Sequence, residues 1–218
     1  MSRISPIALP RARMARRRVL HVGCGFPATH RLHASFREGD DWQEIRLDVD
    51  KSVNPDIVCS TVDMSAAVPS GSVDAVWSSH TIEHLYDHEV TAAFSEFRRV
   101  LGPGGFLLLR CPDLEAVAQG LLRHGIEHVA YVSPAGPVTP LDMLYGHRPA
   151  VAAGNSFMAH RTGFTDERIG RKLLEAGFSE VRTRPAEGFD LWAVAFAARA
   201  NIAECLDRLA RCGLDFAS

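Results

Sequence analysis

The sequence predicts a doubly wound α/β fold with a mostly parallel sheet and an antiparallel edge strand, on three observations. From Val19 onward, short apolar runs alternate with stretches of helical period, the pattern of βαβ units. The runs finish in Gly, Asp, Ser or His, residues suited to the carboxyl ends of strands where open sheets bind ligands. A chain of 218 residues with 46% hydrophobic content can bury one core and is short for two ordinary domains.

Residues 19–22 read as a buried first strand that stops at Gly23-Cys24-Gly25. Ala28, Leu32 and Phe36 recur every fourth residue and predict a helix after it. Residues 44–47, ending at Asp48, and residues 57–59 give strands two and three. The brief loop between them leaves room for a turn rather than a full helix. Residues 73–78 give strand four. Asp87 then offers an N-cap to a helix whose buried face carries Val90, Ala93, Phe94, Phe97, Val100 and Leu101. Gly102-Pro103-Gly104-Gly105 stops that helix, and residues 106–110 form strand five, with Cys111-Pro112-Asp113 at its end.

Residues 126–163 are rich in Pro, Gly and His and lack a clear period; a loop of that length in a compact domain is usually a lid or binding segment. Thr165 is the expected N-cap of a helix burying Ile169, Leu173 and Leu174 and closed by Gly177. Residues 181–184 and 191–196 are close enough to pair antiparallel at one edge. A last helix carries Ile202, Cys205, Leu206 and Leu209. The expected organisation is a basic, disordered leader over 1–18 and one domain over 19–218, with a lid-like insertion at about 126–163.

Composition narrows the function classes. No run of about 18 apolar residues occurs, which argues against a membrane span. A net charge of −2 gives no general attraction to nucleic acid or acidic lipid. Five cysteines without framework spacing suggest free thiols in a reducing compartment, so the expected location is cytoplasmic. The expected partner is a small molecule, and a second copy of the chain is left open. Arg3, Arg11, Arg13, Arg16, Arg17 and Arg18 precede the first acidic residue, Glu38, and mark the leader as a tail, a transit-like segment or a phosphate-binding arm.

The chemistry is expected at the strand ends. Gly23 and Gly25 let the backbone approach a ligand closely. Asp48 is placed to accept the ribose hydroxyls of a nucleoside, and Asp63-Met64 to pair with an adenine edge and pack on its face. Ser78-Ser79-His80 and Glu83-His84 follow strand four. Gly23-x-Gly25-x-x-Ala28 also fits the dinucleotide fingerprint G-x-G-x-x-A, which keeps a nucleotide-dependent oxidoreductase in view.

Two motifs are more specific: Ser78-Ser79-His80-Thr81-Ile82-Glu83-His84-Leu85, and Arg99-Val100-Leu101-Gly102-Pro103-Gly104-Gly105. With Pro55-Asp56-Ile57-Val58, Cys111-Pro112-Asp113-Leu114 and the stretches 141–148 and 158–165, the chain resembles a class I methyltransferase dependent on S-adenosylmethionine (SAM). That resemblance implies SAM as cofactor and methyl transfer to oxygen or nitrogen of a small acceptor. It places Gly23, Cys24 and Gly25 around the methionine part, Asp48 on the ribose, Asp63 and Met64 at the adenine, and Ser79 and His80 along the inner side. Two positions depart from the family: His21 stands where an acid is usual, and Pro27 where a third small residue is usual. These departures keep a non-catalytic partner protein of the same fold as an alternative.

A hydroxyl acceptor needs its proton removed, and histidine is the commonest group for that. His160, His84 and Tyr145 are the leading candidates, with His80, His147 and Asp113 near the same mouth. The spacing of His80, Glu83 and His84 is not H-E-x-x-H, so no metal site is expected from the sequence. Cys24, Cys59 and Cys111 sit near strand ends and are expected to be packing residues.

Overall fold

A computed structural model describes residues 16–28, 31–38 and 41–216. Most of the predicted leader lies outside the described residues, but its last three positions do not: strand β1 begins at Arg17. Seven strands form one sheet, in the order β3-β2-β1-β4-β5-β9-β8. They are β1 (Arg17–Val22), β2 (Trp42–Asp48), β3 (Ile57–Val58), β4 (Val73–Ser79), β5 (Leu101–Pro112), β8 (Glu180–Pro185) and β9 (Asp190–Phe196). The first five run parallel. β9 is antiparallel to both neighbours and lies one place in from the edge, between β5 and β8.

The period of two along each strand builds a three-layer molecule. On β5, Leu107 and Leu109 enter one core with Leu20, Leu47, Val76, Phe94, Phe97 and Ile169. Phe106 and Leu108 enter the other with Val19, Phe36, Trp42, Phe196 and Leu209. Helices α2 (Asp87–Val100) and α6 (Asp166–Glu175) cover the first face, and α1 (Ala34–Arg37) and α7 (Ile202–Arg211) the second. Strand order reverses between β1 and β4, so a crevice opens above their carboxyl ends.

Several local expectations change. The helix after β1 is a single turn, α1; Leu32 precedes it yet is buried, so the four-residue spacing reflects packing on Trp42 and Phe106 rather than a long helix. Tyr86, not Asp87, holds the N-cap position of α2, because Glu89 reaches back to accept the Tyr86 N–H at 2.7 Å. That frees Asp87 to pair with Arg168 and Lys172 of α6. Leu174 is exposed and leaves the α6 face to Ile169 and Leu173. Helix α3 (Leu114–His124), capped by the Asp113 carboxylate, has no counterpart in the sequence reading. As expected, Thr165 caps α6, a 3-10 turn (Lys51–Val53) replaces the helix between β2 and β3, and α7 buries Cys205 and Leu209.

The aperiodic segment is ordered into small elements: a hairpin of β6 (Tyr131–Ser133) and β7 (Gly136–Val138), then α4 (Pro140–Tyr145), α5 (Arg148–Ala152) and a 3-10 turn (Ser156–Met158). Val117, Val138 and Met143 give it a small core of its own against α3. An internal ion pair fixes α4, with Arg148 bonding the buried Asp142 carboxylate at 2.8 Å. Among the described residues, no helix is long and apolar enough to cross a membrane.

Candidate active site

A cavity of about 870 Å³ lies above the switch point. It is floored by the ends of β1, β2, β4 and β5 and roofed by residues of the 131–161 segment. That volume falls within the range typical of small-molecule sites.

At one end the loop after β1 turns over the end of β2. Gly23 and Gly25 have φ of +61° and +59°, the left-handed region that favours glycine. A Cβ on Gly23 would lie 2.2 Å from the Thr81 hydroxyl, and one on Gly25 2.7 Å from the Arg31 guanidinium. Asp48 organises this end: its carboxylate accepts the Gly25 N–H and the Asp50 N–H, each at 2.9 Å. Each carboxylate oxygen keeps a further lone pair, so Asp48 can still accept ligand hydroxyls. Arg46 secures the same loop by donating to the Gly25 carbonyl at 2.5 Å. Buried His21 bonds Glu44 at 2.6 Å, so the departure at this position places an imidazole–carboxylate pair under the loop.

The predicted nucleoside residues divide. Gly23, Gly25 and Asp48 line the cavity with Val49, Thr61 and Val62. Cys24 is buried beneath the loop, and burial pushes its thiol up to about 11. Asp63 and Met64 do not line the cavity. Asp63 turns back to bond Ser65, while Met64 is fully buried, its N–H held by Glu96 at 2.6 Å. The Glu96 anchor draws Met64 under α2, and the cavity wall at that place falls to Val49, Thr61 and Val62.

The centre of the floor is polar. Ser79 and His80 line it as expected, joined by Arg110, Asp190 and Trp192, which sequence reasoning missed. His80 adopts φ +50° and opens into the cavity; its Nδ1 lies 3.2 Å from Glu83 and its Nε2 3.4 Å from Asp190. Burial disfavours its charge, but bonds to Asp190 and Glu83 outweigh that and raise its pKa to about 9. Arg110 lies 3.5 Å from Asp190 and over the Trp192 ring. The signal for Asp190 was the antiparallel pairing itself, which sets it opposite Pro112 at the end of β5.

At the far end the fold joins residues distant in sequence. The turn Ile82–His84 holds Glu83, whose backbone carbonyl accepts the N–H groups of Arg161 at 2.8 Å and Thr162 at 3.3 Å. That tie brings His160 beside His84, with ring centroids 4.9 Å apart. His84 Nδ1 donates to the Ala159 carbonyl at 3.1 Å and His160 Nδ1 to the Met143 carbonyl at 2.8 Å. A carbonyl only accepts, so each Nδ1 carries the proton and each Nε2 presents a lone pair. Burial lowers the His160 pKa, outweighing Glu83 and the Met143 bond, which raise it. Glu83 is 1% exposed; burial works against its charge, yet the His80 bond and the neighbouring histidines lower its pKa. His147 and Asn155 also line this part of the cavity. Tyr145 does not: it lines a smaller pocket of about 210 Å³ behind the same wall, with its side chain largely exposed. Asp113 is spent on capping α3.

Comparison with known proteins agrees with the arrangement. Residues 20–109 match the model of a family described as a methyltransferase domain. Residues 20–109 are thus similar to a methyltransferase domain, on a fold shared with SAM-dependent methyltransferases. The chain's fold is shared with a SAM-dependent methyltransferase from Archaeoglobus fulgidus (TM-score 0.53, 14% identity, 83% of this chain and 86% of that one). It is also shared with the CurJ carbon methyltransferase (TM-score 0.54, 18% identity, 88% of this chain and 50% of that one). A ubiquinone biosynthesis O-methyltransferase of Xanthomonas oryzae pv. oryzae is 34% identical over 132 residues, 56% of this chain and 54% of that protein. The chain thus spans about half the length of the curated relatives it matches. SAM is the cofactor of this class, and the methyltransferase domain fits it: glycine backbone after β1, an acceptor carboxylate after β2, and a connected space for an adenosyl group.

Proposed function

We propose that this methyltransferase domain O-methylates a hydroxylated small molecule at the polar end of the cavity. One observation carries the reading: a single cavity joins the nucleoside-type strand ends to the cluster of Glu83, His84 and His160. SAM supplies a methyl group activated on a sulfonium, so the protein's task is to align the acceptor and keep water out.

In this reading Asp48 accepts the ribose hydroxyls, and Val49, Thr61 and Val62 flank the adenine in place of Asp63 and Met64. Gly23 and Gly25 pass the methionine part, and the Arg31 guanidinium beside Gly25 is suited to its carboxylate. Ser79 and His80 bound the inner side. The acceptor hydroxyl lies against His84 and His160, whose Nε2 lone pairs can take its proton. Roof residues Met143, His147, Asn155 and Phe157 exclude water and shape specificity. The printed activity of the Xanthomonas relative supports oxygen as the accepting atom. All five cysteines are free thiols, which suits the cytoplasmic location we assign.

The test is release of S-adenosylhomocysteine across a panel of phenols, hydroxylated quinol precursors and aliphatic alcohols. Turnover with at least one hydroxylated acceptor is expected, with His160→Ala lowering kcat at least tenfold and leaving S-adenosylhomocysteine affinity within about twofold, since general acid–base groups are worth roughly 10²–10⁴ in rate. Tyr145→Phe should change neither, because Tyr145 faces the side pocket. Turnover only with amine acceptors, or a His160→Ala enzyme of normal kcat, overturns the reading.

A further inference from the structure

We propose that Glu83, His84 and His160 form a binding site for one divalent cation of the zinc type. Each of the three side chains offers a ligand atom, and these lie within 4.8 Å of one another. Tetrahedral bonds of 2.0–2.1 Å place ligand atoms about 3.3 Å apart, so small side-chain rotations close the cluster on an ion.

Three further features mark it as a built site. Glu83 Oε2 is buried without a hydrogen-bond partner, a costly condition that a cation relieves. Both histidines donate Nδ1–H to a backbone carbonyl, the outer-shell arrangement that fixes metal-ligating imidazoles with Nε2 free. The other carboxylate oxygen, Oε1, meets His80 Nδ1 at 3.2 Å, an orienting contact behind the ligand. Two imidazoles and one carboxylate form a donor set suited to zinc and related transition ions rather than magnesium, which prefers oxygen ligands and water.

Three protein ligands leave a fourth position, and all three residues line the large cavity. A hydroxyl there would ionise more readily beside the cation, releasing its proton to solvent. His84 and His160 would then act as ligands rather than as bases. The inference deepens the acceptor-end reading, but cation binding does not depend on methyl transfer.

The probe is Co²⁺, followed by its visible d–d absorption, with Zn²⁺ competing against a chromophoric chelator. One equivalent should bind the wild-type chain. His160→Ala, confirmed folded by circular dichroism, should weaken Zn²⁺ binding by about 100-fold or more, since outer-shell partners alone are worth roughly 10–100-fold. His84→Gln should do the same from the opposite element. The exposed, stacked pair His124 and His128 is the control, and His124→Ala should leave affinity unchanged. Absence of stoichiometric binding, or binding lost in His124→Ala and kept in both ligand variants, overturns the proposal. S-adenosylhomocysteine binding is measured in parallel. If it persists while no cation binds, the cation site alone fails; if cation binds and S-adenosylhomocysteine does not, the methyl-transfer reading alone fails.

Discussion

Replacing Asp48 separates two jobs that the structure assigns to one carboxylate. Its oxygens accept the Gly25 and Asp50 N–H groups at 2.9 Å, and they face the cavity where a ribose would lie. Hydrogen bonds to a charged group are worth about 1.5–3 kcal/mol each. Asp48 is half-buried, so water recovers part of that, and Asp48→Ala should cost about 2–3 kcal/mol of stability. Loss of the ribose contacts should cost about a further 2 kcal/mol of cofactor binding, roughly 30-fold in Kd. Asp48→Asn keeps one acceptor oxygen and should fall between wild type and Ala in both respects. The assay pairs urea unfolding with calorimetric titration of S-adenosylhomocysteine at 15 °C, with the folded state of each variant checked by circular dichroism. A variant that loses stability while its Kd stays at the wild-type value would show that Asp48 only organises the turn, and the ribose assignment would fall.

Gly23→Ala should lose about 2–3 kcal/mol in urea unfolding, from roughly 1–2 kcal/mol of left-handed backbone strain plus displacement of Thr81; a loss below about 0.5 kcal/mol would refute the steric argument. Asp142 gives a pH signature. Burial alone would raise its pKa, but the Arg148 guanidinium and the Thr139 hydroxyl and N–H hold it well below the usual carboxylate range. Its contribution is therefore complete above its unfolded-state pKa of about 3.9 and is lost as pH falls below that. Asp142→Asn should flatten this part of the stability curve between about pH 5 and 2, and equal slopes in the two proteins would count against the pairing.

Much of the framework was readable because it follows from periodicity. The strands showed as apolar runs, the β8–β9 pair as two close neighbours, and Thr165 as a cap before an amphipathic stretch. What escaped was set by partners far along the chain. Met64 looked like a platform for a base, but Glu96 on α2 pulls it into the core. Ala28, Leu32 and Phe36 matched a helix, but only Leu32 and Phe36 are buried, in the core that holds Trp42 and Phe106, and the helix shrinks to one short turn. Helix α3 was missed because it buries only Val117 and carries Gly120, so its stripe is weak. The far end of the cavity was only half legible: Glu83 and His84 stood out, and His160 was singled out, but that they meet follows from long-range contacts, the Arg161 and Thr162 bonds to Glu83 and the His84–Ala159 bond among them. Arg110 lies near the end of β5 itself, and Asp190 reaches the floor through an antiparallel strand whose first residue lies level with the last residue of β5.

The central claim is that the cavity above the β1–β4 switch point is a SAM site, and thermal unfolding with S-adenosylhomocysteine tests it most directly. At a hundredfold excess over Kd, binding to the native state alone adds about 2.7 kcal/mol, which should raise Tm by several degrees in the wild-type chain and by less at the same concentration in Asp48→Ala. NAD at the same concentration should give no shift. A Tm unmoved by millimolar S-adenosylhomocysteine, together with a clear rise in NAD, would contradict the account.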